Sequence, residues 1–167
     1  MRNTAPCIAY ANYKIAAKNP NANIIVAPSD HLILKEDEFV RIIQLALDYT
    51  SKNDCLLTLG ITPSRHDTGY GYIQFKEDAT NEIKKVKAFT EKPTLELAEK
   101  FIENGDFSWN SGMFIWSLKS IQKAFETLLP KVDEAFKNGV GIYNTPEEHN
   151  FIQTAYSRCK NISIDYG

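Results

Sequence analysis

Five short stretches of this chain set polar or small residues where a backbone and a ligand can meet. Pro28-Ser29-Asp30-His31 follows the apolar run Ile24-Ile25-Val26-Ala27. An acidic residue just past the carboxyl end of a strand is placed to bind a hard cation such as Mg²⁺. The plainer reading of Asp30 is an Asx-turn or the cap of the next helix. Thr68-Gly69-Tyr70-Gly71-Tyr72 has two glycines two apart, which permit close backbone approach to a ligand or simply a tight turn. Phe89-Thr90-Glu91-Lys92-Pro93 offers a carboxylate for sugar hydroxyls and an ammonium for a phosphate. An exposed ion pair before a turn is the commoner meaning of Glu-Lys. Trp109-Asn110-Ser111-Gly112-Met113-Phe114 places aromatic rings around an amide and a hydroxyl, as in a carbohydrate-facing wall or an aromatic core strand. Ser163-Ile164-Asp165-Tyr166 puts a second aspartate after an apolar run. Asp30 and Asp165 could converge on one metal, with substrate phosphates completing its shell.

The elements that must carry these residues follow from periodicity and breakers. A helix starts at Thr4, read as its cap, with Pro6 in the first turn, and runs to about residue 18. Residues 23–27 read as a buried central strand of a mostly parallel sheet, closed by Pro28. Phe39, Val40, Ile43, Ala46 and Leu47 share one face of a helix over 36–52. A second buried strand, 55–59, ends at Gly60, which makes a β-α-β unit. Strands at 72–75 and 83–90 are neighbours and antiparallel across a polar turn at 77–81. Thr94 caps a helix that Gly105 stops. Residues 113–116 are strand-like, and 118–129 are helical, with a further helical piece to 138. Thr145-Pro146-Glu147-Glu148 has the form of a capped helix start. That helix ends near Cys159, and a last strand holds Asp165.

The 167 residues allow one domain with a sizeable core. A net charge of −2 gives no reason to expect nucleic acid or an anionic membrane as partner. No apolar run is long enough to span a bilayer, and the residues after Met1 lack the plan of a secretory signal. Cys7, Cys55 and Cys159 are far apart and read as reduced, buried thiols of a cytoplasmic protein.

Taken in order, the motifs RNTAP (from Arg2), APSDH (Ala27), TGYGYI (Thr68), FTEKP (Phe89), WNSGMFIW (Trp109) and SIDYG (Ser163) resemble the bacterial mannose-1-phosphate guanylyltransferases, within the sugar-1-phosphate nucleotidyltransferases. The resemblance implies a Rossmann-like α/β fold with helices on both faces of the sheet. It implies nucleotidyl transfer from GTP to mannose 1-phosphate, giving GDP-mannose and pyrophosphate. Asp30 and Asp165 would then hold Mg²⁺. With Lys92 they would be the catalytic residues. Gly71, Glu91, Asn110 and Lys92 would bind the sugar phosphate, the lysine at its phosphate. Asn3 and Thr4 would lie on the nucleotide side. Where the family usually has Pro and Glu, this chain has His66 and Asp67, which puts the carboxylate on a shorter arm. The family's glycine-rich basic loop is not found in the chain. Residues 1–167 are therefore expected to be part of a catalytic domain, missing segments at both ends and inactive in isolation. Two other readings stand beside this one: a non-catalytic sugar-nucleotide-binding regulatory homologue, and a nucleotidyltransferase for another sugar 1-phosphate. Homo-oligomerisation is left open.

Overall fold

The computed structural model describes residues 2–78 and 80–166. Part of the polar turn expected at 77–81, and the final glycine of SIDYG, lie outside the described residues. Among the described residues the order is α1 (Thr4–Ala16), β1 (Asn23–Val26), α2 (Glu36–Lys52), β2 (Leu56–Ile61), β3 (Tyr72–Phe75), β4 (Val86–Thr90), α3 (Leu95–Asn104), β5 (Phe107–Ser117), α4 (Leu118–Leu128), α5 (Pro130–Lys137) and α6 (Glu148–Arg158). A 3-10 turn, Ile164–Tyr166, follows. This is the mixed α/β class that the sequence predicts.

Hydrogen-bonded neighbours in the sheet run β1-β5-β3-β4, and β2 also pairs with β5. The registers around β3 are antiparallel. Tyr72 faces Thr90 on β4, and on β5 Tyr72 faces Trp109 and Gln74 faces Phe107. This corrects the expected mostly parallel sheet. β3 and β4 are consecutive in the chain and pair antiparallel, and such a pair needs no helical crossover.

The chain forms two compact units. One comprises described residues up to 26, 32–57 and from 115 onward; the other comprises 27–31 and 58–114. In the first, α1, α4 and α5 pack together, and Ile115, Trp116, Leu118 and Phe136 are almost wholly buried. Tyrosines line this core. The Tyr13 hydroxyl donates to Asp133 at 2.7 Å, the Tyr10 hydroxyl donates to Glu148, and Lys14 reaches Glu148 at 2.7 Å. Such bonds meet the need of a buried phenol for a partner. In the second unit, Tyr72, Ala98, Phe107 and Trp109 form the core, with Phe101 and Ile102 against it.

Several local expectations are corrected. Asn3, not Thr4, caps α1: its side chain accepts from the Thr4 amide at 2.9 Å. Thr94 stands at the N-cap of α3 but makes no capping bond with its side chain. Thr145 does not start α6, because its hydroxyl donates to the Ile142 carbonyl at 2.6 Å and the helix begins at Glu148. Gly60 does not end β2 but lies within it, where Ser108 approaches so closely that a Cβ would stand 2.7 Å from its Cβ. The run at 24–27 is not a buried central strand: β1 stands at an end of the strand order and Ile25 is 39% exposed. Asp165 sits in a 3-10 turn rather than a strand. All three cysteines are unbridged, but only Cys159 is buried; Cys7 is exposed and Cys55 intermediate.

Candidate active site

Gly71, Glu91, Lys92 and Asn110 all belong to the second unit, and the chain's local chemistry explains how they are placed. β3 begins at Tyr72, so Gly71 is the last loop residue before the ladder. β4 ends at Thr90, directly before Glu91. Because β3 and β4 are antiparallel with Tyr72 opposite Thr90, Gly71 and Glu91 fall side by side. A carboxylate oxygen of Glu91 occupies the place a Cβ on residue 71 would need, and the Asn110 Cβ would be 3.5 Å from it. Any larger residue here would displace the Glu91 carboxylate. The third strand closes the group, since the Asn110 amide donates to the Gly71 carbonyl at 2.7 Å.

Asn110 lies within β5 and is held there by its neighbours. Its side-chain oxygen accepts from the Gly112 amide at 3.1 Å and lies 3.3 Å from the Thr58 hydroxyl. Ser111 donates to the Leu59 carbonyl at 2.8 Å, which fixes this stretch against β2. Lys92 has φ 46°, in the left-handed region. For a long side chain this is uncommon and costs about 1–3 kcal/mol unless the surroundings impose it. Its ammonium stands 3.9 Å from the Glu91 carboxylate, and the lysine side chain is 67% exposed. The pair is therefore loose, with the charge held toward solvent.

Asp30 belongs to the same unit. The cap of α2 is Lys35, so Asp30 is not the cap of that helix. Asp30 lies exposed in the turn after β1. Its loop meets β5 at Pro28, whose Cγ would lie 3.5 Å from a Cβ on Gly112.

Asn3, Thr4 and Asp165 belong to the first unit. The Ile164 amide donates to the Thr4 hydroxyl at 2.8 Å, and the Thr4 and Ser163 hydroxyls are 3.1 Å apart. Ser163 donates to Asp165 Oδ2 at 2.6 Å. Backbone bonds run both ways, from the Ala5 amide to the Ile162 carbonyl and from the Ile162 amide to the Arg2 carbonyl. Asn3, Thr4 and Asp165, about 160 residues apart in the chain, thus share one hydroxyl-linked segment. The two candidate metal ligands fall one in each unit.

Trp109 does not form an open carbohydrate wall, because it is only 7% exposed and belongs to the core. Three residues with roles here were not picked out from the sequence as site residues: Thr58, Ser163 and Arg65. Their only sequence signals are a threonine inside an apolar strand, a serine between isoleucines, and an arginine two residues before Asp67.

Similarity to known proteins agrees with this architecture. Residues 1–145 match the family model for nucleotidyl transferases. The chain belongs to the nucleotidyl transferase family. It is 33% identical to a mannose-1-phosphate guanylyltransferase of Escherichia coli, over 99% of this chain and 37% of that protein. It is 35% identical to the mannose-1-phosphate guanylyltransferase RfbM of Salmonella typhimurium, over 99% of this chain and 35% of that protein. The chain thus spans about a third of the length of these relatives. A crystal structure described as mannose-1-phosphate geranyltransferase from Thermus thermophilus superposes with a TM-score of 0.86 at 25% identity, covering 99% of this chain and 46% of that one.

Proposed function

We propose that this chain serves the transfer of a guanylyl group from GTP to mannose 1-phosphate, giving GDP-mannose and pyrophosphate, in the cytoplasm. The observation that carries the proposal is the convergence of Gly71, Glu91 and Asn110 beside the strained, outward-held ammonium of Lys92. A carboxylate and an amide on one backbone cradle suit the hydroxyls of a sugar, and a cation beside them suits its phosphate. The names of the similar enzymes support the same substrates.

In the reaction an oxygen of the sugar phosphate attacks the α-phosphorus of GTP, and the bond to pyrophosphate breaks. Lys92 pairs with the phosphate of mannose 1-phosphate and keeps its charge from repelling the triphosphate. Glu91 and Asn110 fix the sugar so that the attacking oxygen faces the nucleotide. Asn110 selects mannose, because a half-buried amide left without its hydroxyl partner penalises the wrong sugar. Asn3 and Thr4 serve the nucleotide. Asp30 and Asp165 fit Mg²⁺ chemically: both offer hard oxygen donors, and Ser163 orients the Asp165 carboxylate. When bound, Mg²⁺ would offset charge on the entering and leaving oxygens.

The test is pyrophosphate release from GTP and mannose 1-phosphate by the complete gene product that contains these residues, with other nucleoside triphosphates and glucose 1-phosphate as competitors. Lys92→Ala should raise the KM for mannose 1-phosphate roughly tenfold, the scale of one charge-assisted bond, and leave that for GTP unchanged. Equal effects on both substrates would remove Lys92 from the sugar phosphate.

A further inference from the structure

The loop between β2 and β3 is built around Asp67. Its Oδ1 accepts from the Gly69 amide at 2.8 Å, two residues on, which closes an Asx-turn. Its Oδ2 accepts from Arg65 Nε at 2.9 Å and lies 2.7 Å from Arg65 Nη2. The backbone of Asp67 is clasped as well. The Tyr72 hydroxyl accepts from the Asp67 amide at 3.2 Å and donates to the Asp67 carbonyl at 3.0 Å. Tyr72 is fully buried, so this clasp is anchored in the core. The Arg65 guanidinium lies over Tyr70, 5.9 Å from its ring centre, and over Trp109 at 5.3 Å; the two rings are 5.0 Å apart. The Gly69 amide and the Arg65 charge hold the Asp67 carboxyl below the usual carboxylate range.

What this assembly holds is Gly71. Residues 69, 70 and 72, on both sides of it, are each fixed: by the Asx-turn, by the ring contacts and by the core. Gly71 itself stands where no slack is tolerated, because the Glu91 carboxylate fills the space of its missing side chain and its carbonyl is bound by Asn110. We propose that Arg65 and Asp67 form a positioning clamp that sets where Gly71 stands against Glu91 and Asn110, and so sets the affinity of the chain for a sugar phosphate. This inference rests on the sugar-phosphate reading of the site. Neither clamp residue is assigned contact with substrate; both act through the loop backbone.

The clamp has two separable parts. Asp67→Asn keeps an oxygen for the Gly69 amide but loses the charge that pairs with Arg65. Asp67→Glu keeps the charge on a longer arm that no longer closes the Asx-turn. Arg65→Lys keeps a cation but loses the planar fork and the ring stacking.

The experiment measures these three variants in the complete gene product that contains these residues, by amide hydrogen exchange at Gly69 and Gly71, by near-ultraviolet circular dichroism, and by KM for mannose 1-phosphate and for GTP. Exchange at Gly71 should accelerate in Asp67→Glu while the amides of α1 stay protected. The KM for mannose 1-phosphate should rise about tenfold, less than the hundredfold that a full ångström of misplacement costs, with the KM for GTP unchanged. Arg65→Lys should weaken the aromatic dichroism and raise the same KM less. Parental KM values in both Asp67→Glu and Arg65→Lys, or equal rises for both substrates, overturn the clamp. Failure of the complete gene product that contains these residues to turn over GTP and mannose 1-phosphate overturns the sugar-phosphate reading instead, and exchange at Gly71 then still decides whether the clamp positions the loop.

Discussion

The two units use polar groups in opposite ways. In the helical unit, hydroxyls and carboxylates fasten one helix to another. Tyr13 binds Asp133, and Glu148 receives Tyr10, Lys14 and the Asn144 amide. These groups lie among packed aromatic rings: Phe136 meets Tyr156 edge-on at 5.3 Å, and Tyr143 meets Phe151 edge-on at 5.7 Å. In the other unit, Asp67 and Glu91 in loops beside strands, and Asn110 within β5, shape backbone around Gly71. The first arrangement puts stability into packing. The second puts polar atoms where a ligand would find them preorganised. A large cost of stability from one unit, and a large cost of affinity without unfolding from the other, is what this difference predicts.

The largest effect should come from emptying the aromatic core. Phe136 is fully buried, so Phe136→Ala should lower the unfolding free energy by about 3–5 kcal/mol, read from the urea midpoint. A loss below about 1 kcal/mol would mean that the helical unit is not the store of stability. Next comes Gly71→Ala. The new methyl would overlap the Glu91 carboxylate, and displacement of the cradle should weaken mannose 1-phosphate binding about a hundredfold by calorimetry, with the urea midpoint little changed. Unaltered binding would take Gly71 out of the sugar site.

The smallest effect separates the units by pH. Lys14 first, then Tyr10, holds the Glu148 carboxyl down to about 2, against an ordinary value of 4.5. The folded state therefore favours the carboxylate. The stabilisation it brings is fully present above about pH 4.5 and is lost as pH falls toward 2. Glu148→Gln should flatten this acid limb of the stability curve while leaving the sugar-phosphate KM untouched at neutral pH. An acid limb of parental steepness would assign the acid sensitivity to other carboxylates.

Much of the element list was readable along the chain. The helix at Glu36–Lys52 and the strand at Tyr72–Phe75 follow from local periodicity and from breakers beside them, and both lie where the sequence predicts. Helix starts were less readable because distant partners compete for the capping groups. The Thr145 box reads as a cap, yet Glu148 is drawn to Lys14 and Tyr10, more than 130 residues away in the chain. Asn144 meanwhile turns into the left-handed region at φ 65°. The placement of Ile24-Ile25-Val26 failed for a related reason. An apolar β-branched run shows that a strand forms, but its number of neighbours belongs to the sheet.

The sequence by itself determined which chemistry is available: two aspartates, a Glu-Lys pair, an Asn-Ser-Gly turn and a Gly-Tyr-Gly loop, in an order that marks the family. These are properties of residue type and spacing, and they survive without coordinates. Only the tertiary structure decided that Glu91 stands in the space Gly71 leaves open, that Thr58 and Gly112 hold the Asn110 oxygen, and that Thr4 and Asp165 share Ser163. Those contacts join residues from 20 to about 160 positions apart, save the local Gly112–Asn110 and Ser163–Asp165 bonds. They depend on antiparallel register and on helix packing, which no local pattern of residues encodes.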